Sequence, residues 1–254
     1  VNHWNIDPRR TILFVGAGVS MQLKLPSWSV LIGDIGVKLG YDPDIFRDFS
    51  TYWGLAEYYK LKQGDLTELA AALKKEWHRA GVSIEASGVH RAIAELGFSR
   101  IYTTNFDHWL EEGFIHWSRA FHKVVRVSDI GVSASHVTEI VKFHGDLDDP
   151  ETLVLTESSY FDRLEFESPL DIMLRADALQ RPILFVGYSL GDMNMRYLFH
   201  KLHKQWIGAQ GERIQNFIFM TQPNPIEEAL FERWNITPIV DQGGGLADFL
   251  ESLR

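Results

Sequence analysis

The 254-residue chain is 45% hydrophobic and 23% charged, the balance of a soluble globular protein with a substantial core, in one large domain or two small ones. Its formal net charge of -9 excludes the basic stripe that direct nucleic-acid binding needs, since Lys74-Lys75 and His200-Lys201 with His203-Lys204 read as solvated helix faces. With no cysteine present, disulfides, thiolate zinc sites and cysteine nucleophiles are excluded as well.

The apolar run at Ile12–Val15 is too short for a signal peptide or a membrane span, so a cytoplasmic protein is expected. The chain opens on Val1 and not on Met, which reads as a fragment of a longer protein. Short apolar runs set between helical patterns read as strands of a covered parallel sheet. The first is predicted at Thr11–Gly16.

From Ser27 to Gly97 the alternation stops. Leu66, Leu69, Ala70, Leu73 and Trp77 recur at helical spacing, and Asp65 with Glu68 makes a capping-box pattern at that helix's start. Gly97 suits the C-terminal stop of the helix before it. Residues 27–97 are expected to form a helical insertion, either a lid over a cleft or a packing module. Because it follows Ser20 directly and carries Trp53, Tyr58 and Tyr59, the insertion is expected to border the cleft and to hold part of a self-association or partner surface.

Further strands are predicted at Arg100–Thr104, Lys123–Val127, Glu139–His144, Leu153–Leu155, Pro182–Gly187, Asn216–Thr221 and Thr237–Val240. Helices are predicted at Phe106–Gly113, Met193–Gln205, Pro225–Asn235 and Leu246–Leu253. Strands alternating with helices predict an α/β fold over residues 1–254: a doubly wound, Rossmann-like parallel sheet with an inserted helical module and no zinc module.

The letters ILFVG occur at 12–16 and again at 183–187. No solenoid-length period accompanies them, so they read as two buried strands built from the same β-branched and aromatic vocabulary, not as a duplication.

In a doubly wound sheet, ligands bind outside the carboxyl ends of the strands. Four predicted strand ends carry small or polar residues: Gly16-Ala17-Gly18-Val19-Ser20, Thr103-Thr104-Asn105-Phe106-Asp107, Phe143-His144-Gly145-Asp146 and Gly187-Tyr188-Ser189-Leu190-Gly191-Asp192. Gly16 and Gly18 permit a tight turn and close ligand approach, with amides at the next helix start free to hold phosphate. A purely structural turn explains such a pair equally well. The dehydrogenase fingerprint is incomplete, because Met21 stands where its third glycine would be.

A lone histidine is more often structural than catalytic, but His144 has company. Asn105 can fix a water or a ribose hydroxyl, Asp107 can hold the loop or accept from a hydroxyl, and a histidine exchanges protons near neutral pH. His200 and His203 lack a third ligand and read as a solvated face. The Asp146–Asp149 turn lacks EF-hand spacing and reads as a loop, so no metal site is expected.

GAGVS, TTNFDH, KFHGD and GYSLGD, in this order, resemble the sirtuin (SIR2) superfamily, and more closely the SIR2-like domains that degrade NAD in bacterial anti-phage defence. LVLTESSYFD, after the histidine, is similar to that branch too. The resemblance implies that Gly16, Ala17, Gly18 and Ser20 bind the NAD phosphates. It implies that Asn105 and Asp107, with Thr104 beside them, lie at the nicotinamide ribose, and that His144 is catalytic with Asn105. It places Gly187, Ser189 and Asp192 near the adenine-side ribose and phosphates. Deacylase sirtuins usually read Thr-Gln-Asn where this chain has Thr103-Thr104-Asn105, and they carry a four-cysteine zinc module that this chain lacks.

What the resemblance implies is an NAD+ glycohydrolase with NAD as substrate and no zinc. The nicotinamide–ribose bond breaks through an oxocarbenium-like state, so the protein must orient the ribose, exclude bulk water and place one nucleophile. Hydrolysis to ADP-ribose and cyclisation would use the same pocket, and both stay open. The alternatives are a module that senses NAD or ADP-ribose, and an NAD-dependent protein deacylase. Such domains are held in check, which implies a homo-oligomer, or control by an Argonaute-like protein, an ATPase or a missing sensor domain.

Overall fold

A computed structural model of the chain describes residues 4–25, 28–79, 81–132, 137–164, 167–191, 193–206 and 213–254. The first strand, β1 (Ile12–Val15), runs into a one-turn helix, α1 (Ala17–Ser20). Five helices follow: α2 (Trp28–Lys38), α3 (Pro43–Asp48), α4 (Tyr52–Gln63), α5 (Thr67–Trp77) and α6 (Gly88–Glu95). Alternation then resumes with β2 (Arg100–Thr103), α7 (Trp109–His116), β3 (Phe121–Val124) and β4 (Thr138–Lys142). The helices α8 (Glu157–Arg163) and α9 (Pro169–Ala178) lead to β5 (Ile183–Val186) and α10 (Met193–Trp206). The chain closes with β6 (Asn216–Met220), α11 (Pro225–Arg233), β7 (Ile236–Val240) and α12 (Gly245–Glu251).

The seven strands form one sheet in the order β3-β4-β2-β1-β5-β6-β7, and every pairing is parallel. Covered strands must be apolar on both faces. Leu13, Val15, Ile101, Leu184 and Val186 point into a core closed by α6, α7 and α12. Ile12, Phe14, Tyr102, Ile183 and Phe185 point the other way, onto α9, α10 and α11. The ILFV repeats are β1 and β5, paired Ile12↔Ile183 through Val15↔Val186. They are adjacent strands of one sheet. The fold is doubly wound and Rossmann-like.

The helices α2, α4 and α5 have a core of their own, built on Leu31, Ile35, Leu55, Tyr59, Leu69 and Leu73. Phe106, Leu147, Leu153 and Leu155, from the loops beyond β2 and β4, enter that core. The inserted helices therefore sit on the carboxyl ends of the strands. By contrast, α6 packs with the sheet through Val89, Ala92 and Ile93, so the end of segment 27–97 serves the main core; Ser27 itself lies outside the described residues.

Local expectations are corrected in several places. Residues 153–155 form no strand: Val154 donates to the His144 carbonyl at 2.8 Å, while Leu153 and Leu155 turn into the insertion's core. The Asp65–Glu68 box does not form, because Asp65 accepts from the Thr67 amide at 2.8 Å and Leu66 stands at the N-cap. Helix α7 begins at Trp109 and not at Phe106: His108 stands at its N-cap, and the Asp107 carboxylate, just outside the helix, accepts from the Trp109 amide at 3.1 Å. Gly97 does follow α6, with a φ of 77°. No described helix is long and apolar enough to cross a membrane.

Candidate active site

The strand register brings the sequence candidates together. Thr103 of β2 pairs with Lys142 of β4 and with Val15 of β1, and Val15 pairs with Val186 of β5. Two residues beyond the Thr103–Lys142 pair stand Asn105 and His144, just past the carboxyl ends of neighbouring strands. A cleft of about 1170 Å³ opens over these ends, at the large end of small-molecule sites. Ala17, Gly18, Ser20, Thr104, Asn105 and Asp107 line one part of it, with His144, Gly187 and Ser189. Gly16 is buried just beneath, and Asp192 lies outside the described residues.

The glycines bring two backbones into contact. A Cβ on Gly16 would lie 2.5 Å from the Gly187 carbonyl oxygen, and one on Gly18 would lie 2.9 Å from the Gly187 Cα. The amides of both are engaged inside the protein: Gly16 donates to Val186 at 3.0 Å, and Gly18 to Gly187 at 2.8 Å. These glycines seat the first and fifth strand-end loops on each other at the floor of the cleft.

A chain of hydrogen bonds fixes the amide of Asn105. Its Nδ2 donates to the Gly16 carbonyl at 3.1 Å and to Ser20 Oγ at 2.9 Å. Ser20 Oγ donates in turn to Asp107 Oδ2 at 2.7 Å. A backbone carbonyl can only accept, so it decides which end of the amide faces it. Both N–H groups are thereby committed, and Oδ1 is the end left to accept from a hydroxyl or water. The Thr103 hydroxyl pins the same loop, donating to the Val15 carbonyl and accepting from the Asn105 backbone N–H, each at 3.0 Å. Asp107 thus acts behind Asn105, through Ser20.

His144 is 3% exposed and faces the cleft. Its ring lies edge-on to Tyr160 of α8 at 5.8 Å, and Tyr160 meets Trp53 of α4 at 5.1 Å. Helix α8 therefore supplies the aromatic wall beside the histidine, backed by Trp53 of the insertion. Gly145 follows at a φ of 94°, where a Cβ would fall 2.2 Å from the Thr152 carbonyl oxygen, so glycine is required. Tyr160 and the fully buried Lys142 carried no role in the sequence reading, whereas Trp53 was named there. For Lys142 a signal existed: a lysine stands among Ile140, Val141 and Phe143, where a covered strand calls for apolar residues. The insertion aromatics divide, with Trp53 on the cleft, Tyr59 in the insertion's core and Tyr58 bonded to the Tyr41 hydroxyl at 2.9 Å.

His108, Asp146 and Asp148 bring potential ligand atoms within 4.8 Å of one another. The two oxygens of Asp146 already meet His108 Nε2 and Lys123 Nζ, each at 2.8 Å, and Asp148 is paired with Lys74 of α5. Burial alone would raise the Asp146 carboxyl, but the His108 hydrogen bond, the Lys142 charge and Lys123 hold it well below the usual carboxylate range. The group is an ion-pair network tying the insertion to the loops beyond β2 and β4. His78, just after α5, accepts from the His108 amide at 3.1 Å. Burial, then the neighbouring His108, lowers its proton affinity and keeps it an acceptor.

The family model for the SIR2-like domain matches residues 99–239 of this chain, more than half of it. The chain belongs to the SIR2-like family. Among curated proteins it is similar to the NAD(+) hydrolase ThsA of Enterococcus faecium, 28% identical over 211 residues, which is 82% of this chain and 42% of that protein. It is also similar to the NAD(+) hydrolase ThsA of Bacillus cereus (strain MSX-D12), 26% identical over 76% of this chain and 40% of that one. Defense-associated sirtuin 2 of Bacillus subtilis is 24% identical over 86% of this chain and 21% of its own length. The chain spans about two fifths of the ThsA proteins it matches.

Proposed function

We propose that this chain is an NAD+ glycohydrolase that cleaves the nicotinamide–ribose bond and depletes NAD in anti-phage defence. The carrying observation is the Asn105 amide, fixed by Gly16 and Ser20 beside His144 in the cleft. Nicotinamide leaves as a neutral base, so the site needs no strong acid at the leaving group. It needs an acceptor for a ribose hydroxyl or water, a proton-exchanging group, and walls that exclude solvent. Asn105 Oδ1 supplies the first and His144 the second. Trp53 and Tyr160 help to supply the third.

In this reading the nicotinamide ribose lies over β2 and β4. The diphosphate crosses the seam of the first and fifth strand-end loops, near Ala17 and Ser189, and adenosine extends toward the end of β6, where Thr221 and Asn224 line the cleft. The products are nicotinamide and ADP-ribose, or a cyclic product formed in the same pocket. The ThsA proteins are named NAD(+) hydrolases, which supports hydrolysis. A sensing module has little need of both Asn105 and His144, and a deacylase would need an acyl-lysine groove as well. The protein acts in the cytoplasm and is controlled through a homo-oligomer, to which the insertion contributes a surface, or through a partner such as an Argonaute-like protein, an ATPase or a sensor domain.

Incubation with NAD, with and without an acetylated peptide, tests this. Nicotinamide release independent of the peptide is expected. Release only with the peptide would make the chain a deacylase, and tight binding without release would make it a sensor.

A further inference from the structure

Lys142 is fully buried at the carboxyl end of β4, between β3 and β2 and two residues before His144. Its Nζ donates to the backbone carbonyl of Asp107, two residues after Asn105. Its ion-pair partner is Glu111 of α7, 5% exposed, with Oε1 at 3.3 Å from the ammonium, and its charge is also felt by Asp146. A buried lysine–glutamate pair is costly to desolvate and contributes little net stability compared with apolar residues of the same volume. A leucine or methionine at Lys142 would suit the covered strand better. What the ammonium adds is a bond from one strand to the loop of its neighbour.

We propose that Lys142, held in place by Glu111, is a positioning residue that sets the spacing of Asn105 from His144. The inference rests on the NADase reading above. His144 belongs to the strand end that carries Lys142, and Asn105 belongs to the loop whose carbonyl Lys142 grips. That loop also holds the Asp107 carboxylate, which orients Ser20 and through it the Asn105 amide. Releasing the Asp107 carbonyl lets the loop shift against β4, and a displacement near an ångström at a reacting centre costs on the order of 100-fold in rate. The substrate's diphosphate and adenosine rest on other loops, so binding changes little.

The test is the double variant Lys142→Met, Glu111→Leu in the whole chain, which removes both charges at once. Thermal unfolding is expected near or above that of the unaltered protein. NAD affinity by direct titration is expected within about threefold, and kcat is expected to fall about 10- to 100-fold. Hydrogen exchange at the amides of residues 105–109 is expected to quicken, a readout that needs no turnover. If the double variant does not fold, Lys142→Gln with Glu111→Gln, neutral and similar in volume, is read the same way. Unchanged kcat with unchanged exchange at 105–109 in a folded variant overturns the proposal. If the unaltered protein releases no nicotinamide, the NADase reading fails by itself. The exchange measurement then decides the clamp: quickened exchange supports it and unchanged exchange overturns it.

Discussion

The amide of Gly18 donates to the carbonyl of Gly187 at 2.8 Å, and a side chain on Gly18 would have to enter that contact. The two residues come from loops at the ends of adjacent, parallel, near-identical strands, and the order in which the chain adds strands to the sheet switches sides between them. The site's floor is a seam of bare backbone.

Gly18→Val is therefore expected to damage the fold as well as the site. Overpacking of this kind costs about 1–3 kcal/mol. Thermal unfolding should report that loss, and NAD titration should report lost binding as the two loops part. A variant with unaltered melting and unaltered NAD affinity would show that the seam tolerates a side chain.

His144→Ala is expected to lower turnover at least about 100-fold while leaving NAD affinity largely intact, because its contribution falls in the transition state. Asn105→Ala should do the same with some loss of binding, since its Oδ1 also holds a ground-state hydroxyl. Nicotinamide release and direct NAD binding, measured side by side, check both. Near-normal turnover in His144→Ala would sink the mechanism.

Ser20 bridges Asn105 and Asp107 at 2.9 and 2.7 Å. Ser20→Ala removes one of the two bonds that orient the Asn105 amide, so about a tenfold fall in kcat is expected, the worth of one hydrogen bond. NAD affinity should change less than kcat. An equal fall in both would mean that Ser20 contacts the substrate directly.

His90 lies buried in α6, its Nδ1 at 2.6 Å from the Ser87 hydroxyl. Burial lowers its pKa from the ordinary 6.5 to about 4. Between those two values the unfolded chain holds a proton that the folded chain refuses, so stability falls as the pH drops from 6.5 toward 4. The full effect is about 3 kcal/mol. Unfolding followed across that range should show the slope, and His90→Gln should flatten it. An identical slope in the variant would assign the acid sensitivity to other groups.

The sequence by itself determined the seven strands of the sheet, though it also suggested one at Leu153–Leu155 that does not form, and it determined what stands at their ends. Apolar runs such as ILFV at β1 and β5 carry their own signal, since a strand covered on both faces reads as a near-continuous apolar run. The glycines and polar residues that follow them mark where such a sheet receives ligands; they sufficed for the family resemblance and for naming Asn105 and His144, which the fold brings to one cleft. Tertiary structure decided how those residues hold one another. Ser20 and Asp107 are 87 positions apart, and Lys142 is 35 from the carbonyl it grips; no local pattern encodes such pairs. The start of α7 fell at Trp109, where the Asp107 carboxylate takes the first helical amide, and α6 left the insertion for the sheet because its apolar face, Val89, Ala92 and Ile93, matched that core. Periodicity reports which face of an element is apolar. Only packing decides which surface that face meets, and with it the orientation of an amide or the partner of a buried lysine.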